Sequence, residues 1–157
     1  MILDKVAHQV TMICTAILFI KFFVTCLIQG GKRFAGGSRP PEDASLSLAK
    51  KYKAKQTYGL EKHDNPKHEA SDIRWQRIVH NDLENVIPGL IIAWASLLSM
   101  GSTMVHITSM IGFTIGRLFH TCAYAYEMQP NRAIGWFIAL CSVCIMCMNG
   151  CVGVMYL

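Results

Sequence analysis

Long uncharged stretches limit what this chain can fold into more than any other feature of its sequence. Residues 6–31 carry only one charged side chain, Lys21, and residues 85–116 and 133–157 carry none. A helix needs about 20 mostly apolar residues to cross a bilayer. Only helices and closed barrels satisfy their backbone polar groups in lipid, so these stretches predict membrane-spanning helices.

The stretch over residues 85–116 is too long for one perpendicular span, and the turn sequence at 100–103 (Met-Gly-Ser-Thr) divides it. Four spans result, over residues 6–32, 73–99, 104–127 and 132–156. The expected fold is an all-α membrane protein, a bundle of four transmembrane helices, with residues 1–157 as a single domain. Lys21 interrupts the first stretch and no small-residue cleavage site follows it, which favours an uncleaved anchor over a signal peptide.

The charges are concentrated in the loop predicted between the first two spans, residues 33–72. Eleven of the 15 basic residues and six of the 10 acidic residues lie between Lys32 and Arg77, so this segment accounts for the net charge of +5. A nucleic-acid-binding protein spreads its basic side chains over a folded face, so no nucleic acid is expected as a partner. The positive-inside rule instead predicts that the loop faces the cytosol.

Part of this loop, residues 44–55, has two open interpretations. It forms either a short basic helix lying on the lipid surface, with Leu46, Leu48 and Tyr52 turned inward, or a mobile solvated tether.

The seven cysteines all lie in predicted spans, so no disulfide framework is indicated. Four of them, Cys141, Cys144, Cys147 and Cys151, reproduce the spacing of a bacterial iron–sulfur motif. That motif needs a loop around the cluster, whereas these cysteines share one face of an uninterrupted apolar helix. Packing that faces lipid or a neighbouring helix is the favoured interpretation, and no metal is expected.

Two groups of polar residues inside predicted spans indicate a binding site, because ionisable groups in a membrane are costly and face a partner. Each group follows the spacing 0, +3, +4, +7, which places its members on one helix face. The second span carries Arg77, His80, Asn81 and Glu84. The third span carries Arg117, His120, Thr121 and Tyr124.

Four arginines are expected at the same membrane level near a single acid, Glu84: Arg33, Arg77, Arg117 and Arg132. Guanidinium groups clamp carboxylates bidentately, so this cationic pocket suits a ligand with two carboxylates and an ammonium group. Glu84 would bind the amine. The alternative is that the polar groups pair with one another and lock the bundle, which is the simpler interpretation for isolated residues such as Lys21 and His106.

These residues resemble the motifs of a known family, the membrane-associated proteins in eicosanoid and glutathione metabolism (MAPEG). Residues 74–85, followed by Pro88, are similar to its second-helix signature, and residues 116–124 to its third-helix signature. The run Gln-Pro-Asn-Arg-Ala at 129–133 resembles the start of the fourth helix in the microsomal glutathione transferase branch. The Pro-Glu-Asp sequence at 41–43 is also similar to that family's first loop.

The resemblance implies a homotrimer in the endoplasmic reticulum membrane, or the mitochondrial outer membrane, with its active site facing the cytosol. It implies that glutathione, held between subunits, is conjugated to lipophilic electrophiles or used to reduce lipid hydroperoxides. The glutathione-binding residues that it implies are Arg33, Arg74, Arg77, His80, Asn81, Glu84, Arg117, His120, Tyr124 and Arg132. Arg132 and Tyr124 are the expected catalytic residues, with Arg132 beside the sulfur and Tyr124 a hydrogen-bond donor to it.

The sequence departs from the family patterns at three places. Ala133 and Trp136 stand where the prostaglandin E synthase branch has serine and tyrosine, which argues against that isomerase. Val79 and His80 replace a His-Leu pair of the transferase pattern. Ala44 stands where the mammalian transferase has a cysteine, so activation by thiol modification is not expected.

Other functions stay open at the level of the sequence. One is an eicosanoid-specific enzyme of the family, of the leukotriene C synthase or prostaglandin E synthase type. Another is a non-catalytic member that presents lipid to a partner, as the lipoxygenase-activating protein does. That role predicts loss of the arginine and glutamate set, which is present here. The last is a small channel or proton carrier using His120 and Lys21.

Overall fold

The computed structural model describes residues 2–61, 65–99 and 101–155, and the regular structure within them is entirely helical. This confirms the all-α prediction. The elements in chain order are α1 (Ile2–Ala35), a 3-10 helix (Pro41–Ser45), α2 (Ser47–Tyr52), α3 (Pro66–Leu98), α4 (Thr103–Ala125) and α5 (Asn131–Met155).

Two helices are longer than the sequence predicts. α1 continues to Ala35 rather than ending at residue 32, and α3 begins at Pro66 rather than at residue 73. Asn65 starts α3, since its side-chain oxygen accepts a hydrogen bond from the Lys67 amide at 3.1 Å and proline suits the first helical turn. The loop predicted over residues 33–72 is therefore shorter. Of the sequence-predicted positions, Met100 in the turn and Tyr156 at the end of the fourth span lie outside the described residues.

The helix that was one of the two open interpretations of residues 44–55 is shorter in the structure. A 3-10 helix ends at Ser45, and α2 covers only Ser47–Tyr52. Lys53 ends α2, because its φ of 52° places it in the left-handed region.

Of the helices that the structure describes, two are long and apolar enough to cross a membrane. They are residues Lys5–Ala35 of α1 and all of α5. Only 22% and 28% of their most apolar windows are buried, so most of their apolar side chains lie on the outside of the chain. α3 and α4 carry more polar residues, and crossing by these two helices, like the four-span bundle and the homotrimer, stays a prediction.

The chain divides into two compact units. The helical unit comprises Met1–Lys21 and Asp82–Leu157, and the loop unit comprises Phe22–Asn81. The core of the helical unit draws on four helices: its buried cluster consists of Cys14, Leu18, Val86, Ala93, Met110, Phe113, Ala139 and Met146. Four helix segments therefore pack around a shared apolar centre.

Close backbone contact brings α4 and α5 together in the helical unit. A Cβ atom added at Gly116 would lie 2.8 Å from the backbone nitrogen of Ala139, and one at Gly135 would lie 2.8 Å from that of His120. Only glycine allows the two backbones to approach this closely. The crossing places the end of α4 beside the start of α5, where several predicted site residues lie.

The loop unit is held together by buried polar side chains. The Gln56 amide donates to the backbone carbonyl of Phe34 at 3.0 Å and accepts from the Arg39 amide at 3.2 Å. Asp72 is buried and accepts hydrogen bonds from the Ser38 hydroxyl and, at 3.0 Å, from the Gln76 amide. These bonds fix the connection that follows α1.

Candidate active site

The predicted site residues are distributed over both units. The loop unit contains Arg33, Arg74, Arg77, His80 and Asn81. The helical unit contains Glu84, Arg117, His120, Tyr124 and Arg132. Within the helical unit, three of them come together at the connection between α4 and α5.

Arg132 is the centre of this group, which we call the Arg132 cluster: Arg132, Tyr124, His120 and Gln129. α5 begins at Asn131, so Arg132 lies in its first turn. The guanidinium carbon of Arg132 lies 4.5 Å from the centroid of the Tyr124 ring. The ring of His120 meets that of Tyr124 edge to face, with the centroids 5.9 Å apart. These contacts join the ends of two helices through one cation and two rings.

His120 also ties the backbone of α5 to α4. Its Nδ1 lies 2.9 Å from the backbone carbonyl oxygen of Arg132, so Nδ1 carries the proton and donates it. The histidine is buried, whereas Tyr124 and Arg132 are half-buried. His120 therefore positions the first turn of α5, and the two residues beside it stay accessible to a ligand.

Gln129 belongs to the cluster although the sequence analysis did not select it. When the side-chain amide of Gln129 is oriented with its oxygen toward Arg132, that oxygen accepts hydrogen bonds from Arg132 Nη2 at 2.5 Å and from Arg132 Nε at 3.0 Å. The signal available in the sequence was its place in the same motif, three residues before Arg132. Gln129 and Tyr124 together hold the guanidinium in one orientation.

The cluster offers two sources of positive potential to an anion. An arginine side chain stays protonated at any physiological pH. The first turn of α5 also lies at the positive end of the helix dipole. A guanidinium and a helix N-terminus are both features that lower the pKa of a nearby thiol and favour the thiolate.

Arg117 does not join this cluster. Its Nη2 lies 2.6 Å from Asp82 Oδ1, and both side chains are 0% exposed. Lys21 Nζ contacts the same carboxylate oxygen at 2.5 Å and is 8% exposed. The expectation that Arg117 converges with the other arginines on Glu84 alone is therefore wrong, because Asp82 binds it inside the helical unit.

Asp82 was missed by the spacing argument, which considered residues that share a face with Glu84. A helix turns by about 100° per residue, so positions two apart point to nearly opposite sides. Asp82 is buried while Glu84 is exposed. The signal available in the sequence was that Lys21 lies within one apolar stretch and Arg117 at the edge of another, so both cations need an acidic partner such as Asp82.

The polar face predicted for α3 points out of the single chain. Arg77, His80 and Glu84 are exposed, and Arg74 and Asn81 are half-buried. This exposure agrees with the 0, +3, +4, +7 spacing. These residues thus lie at the surface of the single chain.

Arg33 lies in the last turn of α1, within the loop unit. It is half-buried, and its Nη2 donates to the backbone carbonyl of Ser38 at 2.9 Å. The turn that follows α1 thus fixes the direction of this side chain.

A further polar network lies at the opposite end of the helical unit. The Thr11 hydroxyl donates to the Ala7 carbonyl at 2.8 Å and accepts from His106 Nε2 at 2.8 Å. The other ring nitrogen faces the Ser96 hydroxyl at 3.4 Å, and the Asn149 amide approaches that hydroxyl at 3.5 Å. His106 and Lys21 thus each bind polar groups on other helices, as the simpler interpretation of isolated polar residues predicts.

Among the residues that the structure describes, no group of three or more histidine, cysteine, aspartate or glutamate side chains is arranged to hold a metal ion. The cysteines of the iron–sulfur-like spacing are free thiols, and Cys144, Cys147 and Cys151 lie exposed on α5.

Comparison with known proteins agrees with the motifs. No curated protein matches the chain. The sequence model of the MAPEG family matches residues 10–151, a range that includes the polar face of α3, the buried pair of Asp82 and Arg117 and the whole Arg132 cluster. The match covers most of the chain, and the protein therefore belongs to the MAPEG family of membrane-associated proteins related to glutathione and eicosanoid metabolism.

Proposed function

We propose that this protein is a membrane glutathione transferase, with reduction of lipid hydroperoxides as a second activity. The observation that carries the proposal is the setting of Arg132: a half-buried guanidinium in the first turn of α5, stacked on Tyr124 at 4.5 Å and held by Gln129. A guanidinium held in this way offers a bound anion a permanent positive charge in a fixed orientation.

The chemical task is to make a thiolate near neutral pH. A free thiol has a pKa of about 8.5, so only a few per cent of it is ionised. Arg132 and the N-terminus of α5 stabilise the thiolate, and the thiol proton passes to solvent. The Tyr124 hydroxyl or a water molecule donates a hydrogen bond to the sulfur. The thiolate then attacks the electrophile, a carbon–sulfur bond forms, and the leaving group departs with its electron pair.

The remainder of glutathione is proposed to bind at the outward face of α3 and the end of α1. Its carboxylates suit the guanidinium groups of Arg33, Arg74 and Arg77, and its amine suits Glu84, with Asn81 and His80 as hydrogen-bonding partners. Because Arg77, His80 and Glu84 are exposed on the single chain, we propose that a neighbouring subunit of a homotrimer completes the site. Arg117, buried against Asp82, supports the helix that carries His120 rather than the ligand.

The location proposed is the endoplasmic reticulum membrane or the mitochondrial outer membrane, with the site open to the cytosol. Support for this orientation comes from the net positive charge of residues 32–77, through the positive-inside rule. The electrophile reaches the site from the bilayer, which concentrates apolar molecules.

Replacing Arg132 tests the proposal directly. We expect Arg132→Ala to lower the rate of conjugation to a chlorinated aromatic substrate by about 100-fold or more, since one group that stabilises the reacting charge is typically worth that factor. The thiolate absorbance of glutathione should no longer rise on addition of the variant. Arg132→Lys keeps a charge but loses the planar stack on Tyr124, and we expect an intermediate rate.

Arg39→Ala is the matched control, because Arg39 pairs with Asp43 at 3.0 Å in the loop unit and takes no part in the proposed site. Its rate should equal that of the unchanged protein. A normal rate for Arg132→Ala would overturn the assignment. Glutathione binding without turnover of any halide or hydroperoxide would favour the lipid-presenting function instead, and turnover confined to an eicosanoid epoxide would favour leukotriene C synthase.

A further inference from the structure

We propose that residues 46–60 form a docking surface for the anionic face of a lipid bilayer. Five large apolar side chains in this segment are exposed: Leu46, Leu48, Tyr52, Tyr58 and Leu60. Leu60 is 85% exposed and Tyr58 is 57% exposed. Five large exposed apolar side chains within fifteen residues indicate a surface that contacts lipid or another molecule.

The charge of the same segment selects an anionic occupant. Four exposed lysines alternate with the apolar residues: Lys50, Lys51, Lys53 and Lys55. Residues 46–60 contain no aspartate or glutamate. The ion pair that Lys55 forms with Glu61, at 2.9 Å, is exposed on both sides and is worth little in water.

The structure holds this segment beside the end of an apolar helix. The Thr57 amide donates to the Gly37 carbonyl, and the Tyr58 amide to the Arg39 carbonyl, both at 3.0 Å. Gln56 is buried and binds the Phe34 carbonyl in the last turn of α1. Because α1 is long and apolar enough to cross a membrane and ends at Ala35, these bonds keep the segment close to the polar boundary of the bilayer.

A bilayer surface fits this pattern better than a protein partner. The exposed apolar side chains are interleaved with lysines instead of forming one dry patch, and lysine stems can lie along acyl chains while their ammonium groups reach headgroup phosphates. Basic segments next to a membrane helix bind anionic lipid more tightly as their charge rises, and each added lysine raises the affinity about fivefold. Apolar side chains beside them add burial in the interface.

The test is amide hydrogen exchange of the full chain reconstituted in lipid nanodiscs. One preparation contains phosphatidylcholine alone, and the other contains about one-third phosphatidylserine. We expect peptides over residues 46–60 to exchange at least about tenfold more slowly in the anionic discs, since several lysines act together. Raising the salt concentration to about 1 M should remove the difference, because it shortens the screening length to about 3 Å.

Variants separate charge from apolar contact. Replacing the four lysines by glutamine should abolish the effect of lipid charge. Replacing Lys5 and Lys67, two exposed lysines outside the segment, should preserve it. Leu46→Ser combined with Leu60→Ser should speed exchange in both kinds of disc. If the fourfold variant does not fold, the salt titration of the unchanged protein and the variant Lys50→Gln/Lys51→Gln give the same test.

Equal exchange in neutral and anionic discs would overturn the proposal. Strong protection in both discs and in an uncharged detergent would do so too, since it would mean that a second copy of the chain covers the segment. The measurement does not use glutathione, so its result is independent of the proposed transferase activity.

Discussion

Two arginines of the helical unit show how the surroundings of a residue decide its role. Arg117 is fully buried and binds Asp82 at 2.6 Å, whereas Arg132 is half-buried and lies over an aromatic ring. A buried guanidinium needs a carboxylate close by, because taking an unpaired charge out of water costs several kcal/mol. Arg117 is therefore a structural residue, and Arg132 keeps the exposure that a ligand requires.

Removing the carboxylate that joins Lys21 and Arg117 is expected to destabilise the helical unit strongly. Asp82→Asn leaves two cations close together in the interior without their shared anion, a change that typically costs about 3–5 kcal/mol. We expect a large fall in the midpoint of thermal unfolding in detergent.

Glu61→Gln is the control for this change. It removes an ion pair with Lys55 at the surface, where the side chain of Lys55 is 76% exposed and that of Glu61 is 59% exposed. Its unfolding midpoint should stay within the measurement error. If Asp82→Asn unfolded at the same temperature as Glu61→Gln, the buried contacts of Asp82 would not stabilise the fold.

At the scale of the elements, the crossing of α4 and α5 positions the Arg132 cluster. Gly116 and Gly135 allow backbone contact, and His120 bonds to the Arg132 carbonyl at 2.9 Å beside this crossing. Any change in the distance between the helices would move the cation relative to Tyr124. Packing and the geometry of the candidate site are therefore coupled.

A methyl group at the crossing tests this coupling. A Cβ at position 135 would lie 2.8 Å and 3.0 Å from the backbone N and Cα of His120, which cannot rotate away. We expect Gly135→Ala to destabilise the protein by about 1–3 kcal/mol, the typical effect of overpacking. The rate of glutathione conjugation should fall further than the loss of folded protein explains.

Gly30→Ala provides the comparison, since a Cβ at Gly30 meets nothing within 4 Å and alanine favours a helix. Thermal unfolding and conjugation assays on both variants give the result. If Gly135→Ala and Gly30→Ala had the same unfolding midpoint and the same conjugation rate, α4 and α5 could separate at their crossing without loss of stability or activity.

At the scale of the whole molecule, the proposed trimer makes a quantitative prediction. Glu84 is exposed on α3, and we propose that it acts with Arg132 of a neighbouring subunit. Coexpressed Glu84→Ala and Arg132→Ala chains would then form mixed trimers in which some sites contain both native residues. Random assembly gives such sites about one time in four in a symmetric oligomer.

We expect the mixed preparation to recover about a quarter of the native conjugation rate, although each variant alone is inactive. Differential tags on the two chains, followed by tandem purification, confirm that both are present in one particle. If the mixture were as inactive as its parts, Glu84 and Arg132 would have to serve the same site from one chain.

Much of the fold could be predicted from residues that are close together in the sequence. The apolar stretches predict helices within a few residues of α1, α4 and α5, because the length of a helix in lipid is set locally. The start of α3 was missed because it depends on Asn65 capping a proline-led first turn inside a charged loop. One of the two interpretations of residues 44–55 was a helix longer than α2, because the residue type of Lys53 gives no indication of the left-handed conformation that ends α2.

The sequence by itself determined that the chain is helical, that most of its charged residues lie between Lys32 and Arg77, and that Arg132 lies in a motif that resembles that of a known family. The first two follow from the composition along the chain, and the third follows from the resemblance of residues 129–133 to the family's motif. Only the tertiary structure decided how the charges pair. Asp82 lies 61 residues from Lys21 and 35 from Arg117, and helical spacing relates only residues on one helix. Contacts between helices are set by packing in three dimensions, and this is why one predicted ligand residue became part of the interior while Arg132 kept an accessible face.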